Sequence, residues 1–150
     1  MSKIKKYFYP EKIPVKNRRW PDAVISKTPI WCSVDLRDGN QALPIPMTPE
    51  RKISYFKMLC NIGFKEIEVG FPSASKDDFD FIRFLIEKKK IPDGVRISVL
   101  TQAREHLIAK TVESLKGAKH AILHCYVAAS DLHAKIVFNK EREDVIKMSV

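Results

Sequence analysis

The stretch WCSVDLRDGNQAL, residues 31–43, decides how the rest of the chain is read. A short, mostly apolar run over 31–36 is closed by Arg37-Asp38-Gly39-Asn40-Gln41 before any helical pattern begins. Short apolar runs bounded by turn formers are the pattern of buried parallel strands. The run is succeeded by a cation, an anion, a glycine and two amides, so the strand opens into a polar site. In barrels of alternating strands and helices, chemistry sits just past the C-terminal ends of the strands. The same five residues also describe a simple Arg-Asp ion pair followed by a Gly-Asn turn. The bare pattern leaves both readings open.

Outward from that stretch the chain alternates. Pro44 and Pro46 hold a loop until Thr48-Pro49-Glu50, which is an N-cap, a first-turn proline and an acid at a helix start. Ile53, Phe56, Leu59 and Cys60 then recur at helical spacing, and Gly63 stops the helix. A second strand is expected over 64–70, with Ile67 and Val69 on one face and Glu66, Glu68 and Gly70 on the other. Parallel strands covered by helices are apolar nearly throughout. Two acids on one face therefore point to a polar barrel interior. The loop 71–75 offers Ser73 or Ser75 as a cap for a helix running to Lys89, with Phe79, Ile82, Leu85 and Ile86 inward. Pro92-Asp93-Gly94 turns into a third strand over 95–100, and a third helix spans 102–115, closed by Gly117. A fourth strand, 119–127, a loop, 128–133, and the first turns of a fourth helix, 140–150, complete the order.

Strands alternating with helices over short connections mean parallel strands and right-handed crossovers. No dinucleotide-binding glycine fingerprint follows the first strand. A complete eightfold barrel needs ~250 residues, so 150 residues hold half of one. The expected fold is α/β: about four βα units, the first half of a TIM (β/α)8 barrel over 31–150, preceded by an extended arm over 1–30.

That arm contains Pro10, Pro14, Pro21 and Pro29, which forbid a long helix, and aromatic anchors Tyr7, Phe8, Tyr9 and Trp20. Residues 1–28 carry eight Lys/Arg against two acids, which places +6 of the chain's +9 there. A localised basic segment suits an acidic partner. With no recognition helix, zinc finger or aromatic RNA-binding signature, packing on a neighbouring subunit is the expected role, not nucleic-acid binding. No apolar run approaches the ~20 residues that span a bilayer, and the basic N-terminus lacks the apolar core of a secretory signal. The expectation is a cytoplasmic location with no membrane contact. Cys32, Cys60 and Cys125 are far apart and outside any zinc spacing. They are expected as small buried hydrophobes.

Arg37-Asp38-Gly39-Asn40-Gln41 resembles the signature after the first strand of the pyruvate-carboxyltransferase-like Claisen enzymes, the DRE-TIM metallolyase superfamily. The wider wording, Trp20-Pro21 with residues 31–43, Gly63 to Ser75 and Asp78-Phe79-Asp80-Phe81, is similar to the 2-isopropylmalate synthases among them. The resemblance implies an acyltransferase of leucine biosynthesis. Such an enzyme condenses acetyl-CoA with 3-methyl-2-oxobutanoate on a divalent cation (Mg2+, Mn2+ or Zn2+). Citramalate and homocitrate synthases share the Arg-Asp-Gly core, and a non-catalytic half barrel that binds a partner is the alternative outside the enzyme class. A complementary half barrel or a homodimer are the partners it implies.

The site residues follow from both lines. Asp38, a carboxylate beyond a strand end, suits a hard cation, and the resemblance implies a metal ligand. The family's remaining ligands are an H-x-H pair and a later Asn, and His106, His120, His124 and His133 never form H-x-H. Arg37 offers a planar fork of donors, and the resemblance implies contact with the 2-oxo acid and its developing enolate oxygen. Arg37 and Asp38 share a site only if the backbone turns there, which Gly39 allows. Glu68 is a base, an orienter of Arg37, or a buried acid paired with Lys65; the resemblance favours the first two. Glu66 reads as structural. His124, alone in an apolar strand, reads as a core histidine, whereas the resemblance makes it a contact to the oxo acid. Gln41 is a nearby amide for substrate or loop packing. Ser130 and His133 are lesser candidates, and Ala129 stands where relatives carry a hydroxyl. These 150 residues are expected to be inactive by themselves.

Overall fold

The computed structural model describes residues 27–149. The expected arm falls almost wholly outside them. Within them lies one parallel sheet in the order β1-β2-β3-β4, formed by Cys32–Ser33, Glu66–Gly70, Arg96–Gln102 and Ala121–Tyr126. Helices α1 (Pro49–Ile62), α2 (Lys76–Glu87) and α3 (Glu105–Ser114) connect the strands in turn. Sequential parallel strands joined by helices are the architecture of a partial TIM barrel. No described helix is long and apolar enough to cross a membrane.

Local chemistry sets the boundaries. Thr48 caps α1 by accepting from the Arg51 N–H at 3.4 Å, Pro49 takes the first position, and Gly63 ends it at φ +109°. Only glycine reaches that region freely. Of the two candidate caps for α2, Ser75 is the one used, accepting from the Asp78 N–H at 3.3 Å. α2 ends at Glu87, two residues early, because Lys89 turns left-handed at φ +49°. β3 runs on to Gln102, so α3 begins later than its expected start. After β4, Ser130 caps a three-residue helix, α4 (Asp131–His133), which winds on into a π-helical turn, Ala134–Phe138, before α5 (Arg142–Ser149).

The first strand departs most from expectation. It has two residues instead of six. The Val34 carbonyl lies within hydrogen-bonding reach of three N–H groups, those of Arg37 (3.2 Å), Asp38 (2.8 Å) and Gly39 (3.4 Å). The Ser33 hydroxyl donates to Asp35 at 2.6 Å. Together these wind Asp35–Gly39 into a π-helical turn, so the polar site begins inside the stretch read as strand.

The helix-side core gathers Leu36, Phe56, Leu59, Ile67, Val69, Ile82, Leu85, Ile97 and Val99. Phe81 is buried there, while Phe79 is only half-buried. Lys52 is buried as well, on the stripe it shares with Phe56 and Leu59. The cysteines are a correction: Cys32 and Cys125 are exposed and Cys60 is half-buried. Cys32 lies on the polar face beside Glu66 in an outer strand, and Cys125 lies in β4, the strand at the other side of the sheet.

Candidate active site at the strand ends

β2 alternates as its sequence requires, with Ile67 and Val69 toward the helices and Glu66 and Glu68 on the opposite face. Glu68 is 2% exposed. Burying a carboxylate is costly unless it is paired and hydrogen-bonded, and here both oxygens are engaged. Oε1 accepts from Arg37 Nε at 2.6 Å and lies 2.6 Å from Nη2. Oε2 lies 2.7 Å from His124 Nδ1. Glu68 thus bridges residues 31 and 56 positions away in sequence. Lys65 is not among its partners.

His124 is placed by the register of β4, where it pairs with Leu100 and projects onto the Glu68 face. Arg37 is placed by the π-helical turn, which swings it under the strand ends. Its side chain is 16% exposed, and Nη1 donates to Asp38 Oδ1 at 2.6 Å. The turn arises at Val34; Gly39 has no left-handed φ, and a Cβ there would meet Asp35 at an ordinary 3.6 Å. Five N–H donors sit on a guanidinium, so donors on Nη1 and Nη2 remain for an incoming anion.

Other expected residues stand apart. Gln41 is exposed and makes no side-chain hydrogen bond among the described residues. The neighbouring Asn40 is buried instead, its Oδ1 accepting from the Met47 N–H at 2.7 Å and tying the turn to the start of α1. Glu66 pairs with Arg96. Ser130 and His133 bond to each other at 2.6 Å as part of a local helix cap, away from Arg37 and Glu68.

Asp38 is 64% exposed at the rim. Among the described residues no three His, Cys, Asp or Glu side chains gather to hold a metal ion. His124 and Glu68 spend their facing atoms on each other. A divalent ion needs several oxygen or nitrogen ligands, and these residues do not fit one by themselves. Cys32, on the same face, has its thiol pushed up by partial burial and then by the Glu68 and Glu66 charges.

A second polar group supports the site from behind. Lys52 Nζ meets Asp78 Oδ1 at 2.6 Å, and Asp78 Oδ2 accepts from the Phe71 N–H at 2.8 Å. A Cβ on Gly70 would come within 2.8 Å of Asp78 Cγ, so glycine is needed where the carboxylate presses on the end of β2. That contact coincides with the register shift between Glu68 and Gly70. The sequence carries a signal for this group: Lys52 falls four and seven residues before Phe56 and Leu59, on the inward stripe of α1.

The HMGL-like family matches residues 28–150. A 2-isopropylmalate synthase of Clostridium acetobutylicum is 57% identical over 97% of this chain and 26% of its own length. Proteins of the same name from Ralstonia pickettii and Bifidobacterium longum are 58% and 57% identical over 92% and 94% of this chain. They are covered over 24% and 22% of their lengths, so the chain spans about a quarter of these relatives. With a parallel half barrel, an Arg37–Glu68–His124 cluster at its strand ends and this match over most of its residues, the chain belongs to the HMGL-like family.

Proposed function

We propose that the chain carries the oxo-acid half of a 2-isopropylmalate synthase site, binding 3-methyl-2-oxobutanoate for condensation with acetyl-CoA. The observation that supports this reading most is the convergence of Arg37, Glu68 and His124 from three strand ends, in a chain that is 57% identical over 97% of its length to a relative of that name.

In that reading Glu68 is the orienter. One oxygen fixes Arg37 and the other fixes the His124 ring, so neither group has to reorganise when charge develops. The guanidinium donors left on Nη1 and Nη2 take the substrate carboxylate or the C2 oxygen, which gains negative charge as the acetyl methyl carbon bonds to C2. That methyl group gives up one proton, the C2 oxygen takes one, and hydrolysis of the thioester frees CoA. Nε2 of His124, which has no partner among the described residues, holds or gives a proton at the oxo acid. Asp38 would be one ligand of a divalent cation, but the described residues lack the rest of the set. Among the described residues the outer edges of β1 and β4 have no partner strand, and such edges offer backbone groups for pairing. A complementary half barrel would pair there.

The test is binding and turnover by the purified chain. His124 ring signals should move on titration with 3-methyl-2-oxobutanoate, and Arg37→Met should abolish the shift. No CoA should be released from acetyl-CoA until a half barrel bearing an H-x-H strand is added. An unmoved His124 with wild-type chain sinks the oxo-acid reading, and CoA release by the chain alone sinks the claim that it needs a complement.

A further inference from the structure

Lys52 and Asp78 form an ion pair, their side chains 5% and 15% exposed, that the proposed chemistry does not use. Lys52 lies in the first half of α1 and Asp78 in the first turn of α2. They meet at the end of β2, just beyond Glu68. There the ladder to β3 changes step. Ile67 pairs with Ile97 and Glu68 with Ser98, but Gly70 pairs with Val99, so two steps on β2 match one on β3. Strict alternation would leave Gly70 on the Glu68 face. Opposite Val99, a core residue, it faces the helices instead, and a Cβ there would meet Asp78 Cγ at 2.8 Å. Asp78 Oδ2 then takes the Phe71 N–H at 2.8 Å. An extra residue of this kind bends its strand and re-aims the side chains beside it.

We propose that Lys52 and Asp78 are positioning residues: the pair holds β2 out of step after Glu68 and so aims the Glu68 carboxylate at Arg37 and His124. Asp78 is the clamp on the Phe71 N–H. Lys52 keeps that carboxylate charged and against the strand, because a buried carboxylate without a cation turns toward water or takes up a proton. Lys52 Nζ also lies 5.6 Å from the centre of the Phe81 ring, within cation–π range, which steadies the ammonium from a second direction. The aim is sensitive. Glu68 makes contacts of 2.6 and 2.7 Å, and a displacement of about 1 Å takes such a contact out of hydrogen-bond range. The placement of Glu68 needs no substrate; its consequence for catalysis rests on the oxo-acid reading.

The experiment reads the His124 ring by nitrogen-15 NMR in the full chain. A carboxylate at Nδ1 keeps the proton of a neutral imidazole on that nitrogen, so wild-type His124 should show the Nδ1–H tautomer. Lys52→Met should lower the ratio of Nδ1–H to Nε2–H roughly five-fold in the folded protein, the factor that one ordinary hydrogen bond supplies. Lys52→Arg, which returns the cation, should restore most of it. Gly70 has no positive φ, so alanine suits its backbone and obstructs only Asp78. Gly70→Ala should therefore lower the ratio with Lys52 and Asp78 both present, and it carries the test if Lys52→Met does not fold. Leu59→Ala, on the same stripe of α1, removes core packing and leaves the pair in place, so its ratio should match wild type. No Nδ1–H tautomer in wild type, an unchanged ratio in Gly70→Ala or in folded Lys52→Met, or an equal loss in Leu59→Ala would each overturn the proposal. With 3-methyl-2-oxobutanoate added, the wild-type ring shift should weaken in Lys52→Met. A wild-type ring that carries Nδ1–H but ignores the oxo acid would sink the oxo-acid reading and leave the placement of Glu68 by Lys52 and Asp78 standing.

Discussion

On β2 and β3, Ile67, Val69, Ile97 and Val99 are fully buried, whereas beyond β4 Leu132, Ile136 and Val137 stand 66%, 74% and 57% exposed. Both regions are written in similar apolar residues. The difference lies in what surrounds them. β2 and β3 each have a strand on both sides, and helices close their apolar face. Among the described residues β4 has a neighbour only in β3, and His124, Cys125 and Tyr126 are exposed although their run reads as a buried strand. An apolar sequence specifies a demand for burial, and only the neighbouring elements meet it.

Paired substitutions test that contrast. Phe56→Ala in the closed region should cost about 3–5 kcal/mol, the range for a buried aromatic, while Ile136→Ala should stay within about 0.5 kcal/mol. Urea unfolding measures both. A large loss at Ile136 would mean that its surface is covered in solution. Ion pairs should divide in the same way. Lys52→Met leaves the Asp78 carboxylate without its cation in a buried setting and should cost about 3 kcal/mol. Arg142→Ala, which removes an exposed pair with Asp131, should cost under about 1 kcal/mol. Equal losses would break the comparison.

Helix caps give a smaller version. Thr48 opens a 14-residue helix and Ser130 a three-residue one, by the same hydroxyl-to-N–H bond. Thr48→Ala should cost about 1 kcal/mol, and Ser130→Ala no more than about 0.5 kcal/mol. Thermal melts on the two variants would separate them.

What the sequence made legible was local. Thr48, Pro49 and Gly63 bound α1 because caps and left-handed stops act within a few residues. The acids of β2 marked a polar face because alternation is a property of one strand. What stayed hidden depended on distant partners. Nothing near residue 35 announces that the Val34 carbonyl will draw three N–H groups and end β1 after Ser33. Lys52 falls on the inward stripe of α1, but nothing near it names the partner, Asp78, which comes from another helix. The Arg37–Glu68–His124 cluster lay between. Each residue could be singled out, Arg37 and His124 with a family resemblance to help, but that Glu68 meets Arg37 and His124 and not Lys65 became visible only when the fold brought His124 within 2.7 Å.

The two outer strands each expose a cysteine, and these thiols sharpen the comparison at its finest scale. Cys32 lies on the carboxylate face, where partial burial first and then Glu68 and Glu66 raise its thiol above the ordinary value. Cys125 follows His124 and so points to the opposite face of β4. Burial and charge have the same sign: a partly desolvated thiolate beside two carboxylates is disfavoured, so Cys32 ionises only as pH climbs past the value of an unfolded cysteine. Whatever stability the neutral thiol contributes is present below that unfolded value and lost as pH rises through the folded one. Alkylation of Cys32 should therefore show a pH profile displaced to the alkaline side of the denatured chain's profile. Glu68→Gln should move it back toward lower pH, but only part of the way, because burial is the larger cause and survives the substitution. Cys125 is the internal control, and its rate should not follow the change at Glu68. If both thiols accelerated together, Glu68→Gln would have loosened the sheet, and the charge field assigned to the polar face would have no support from Cys32.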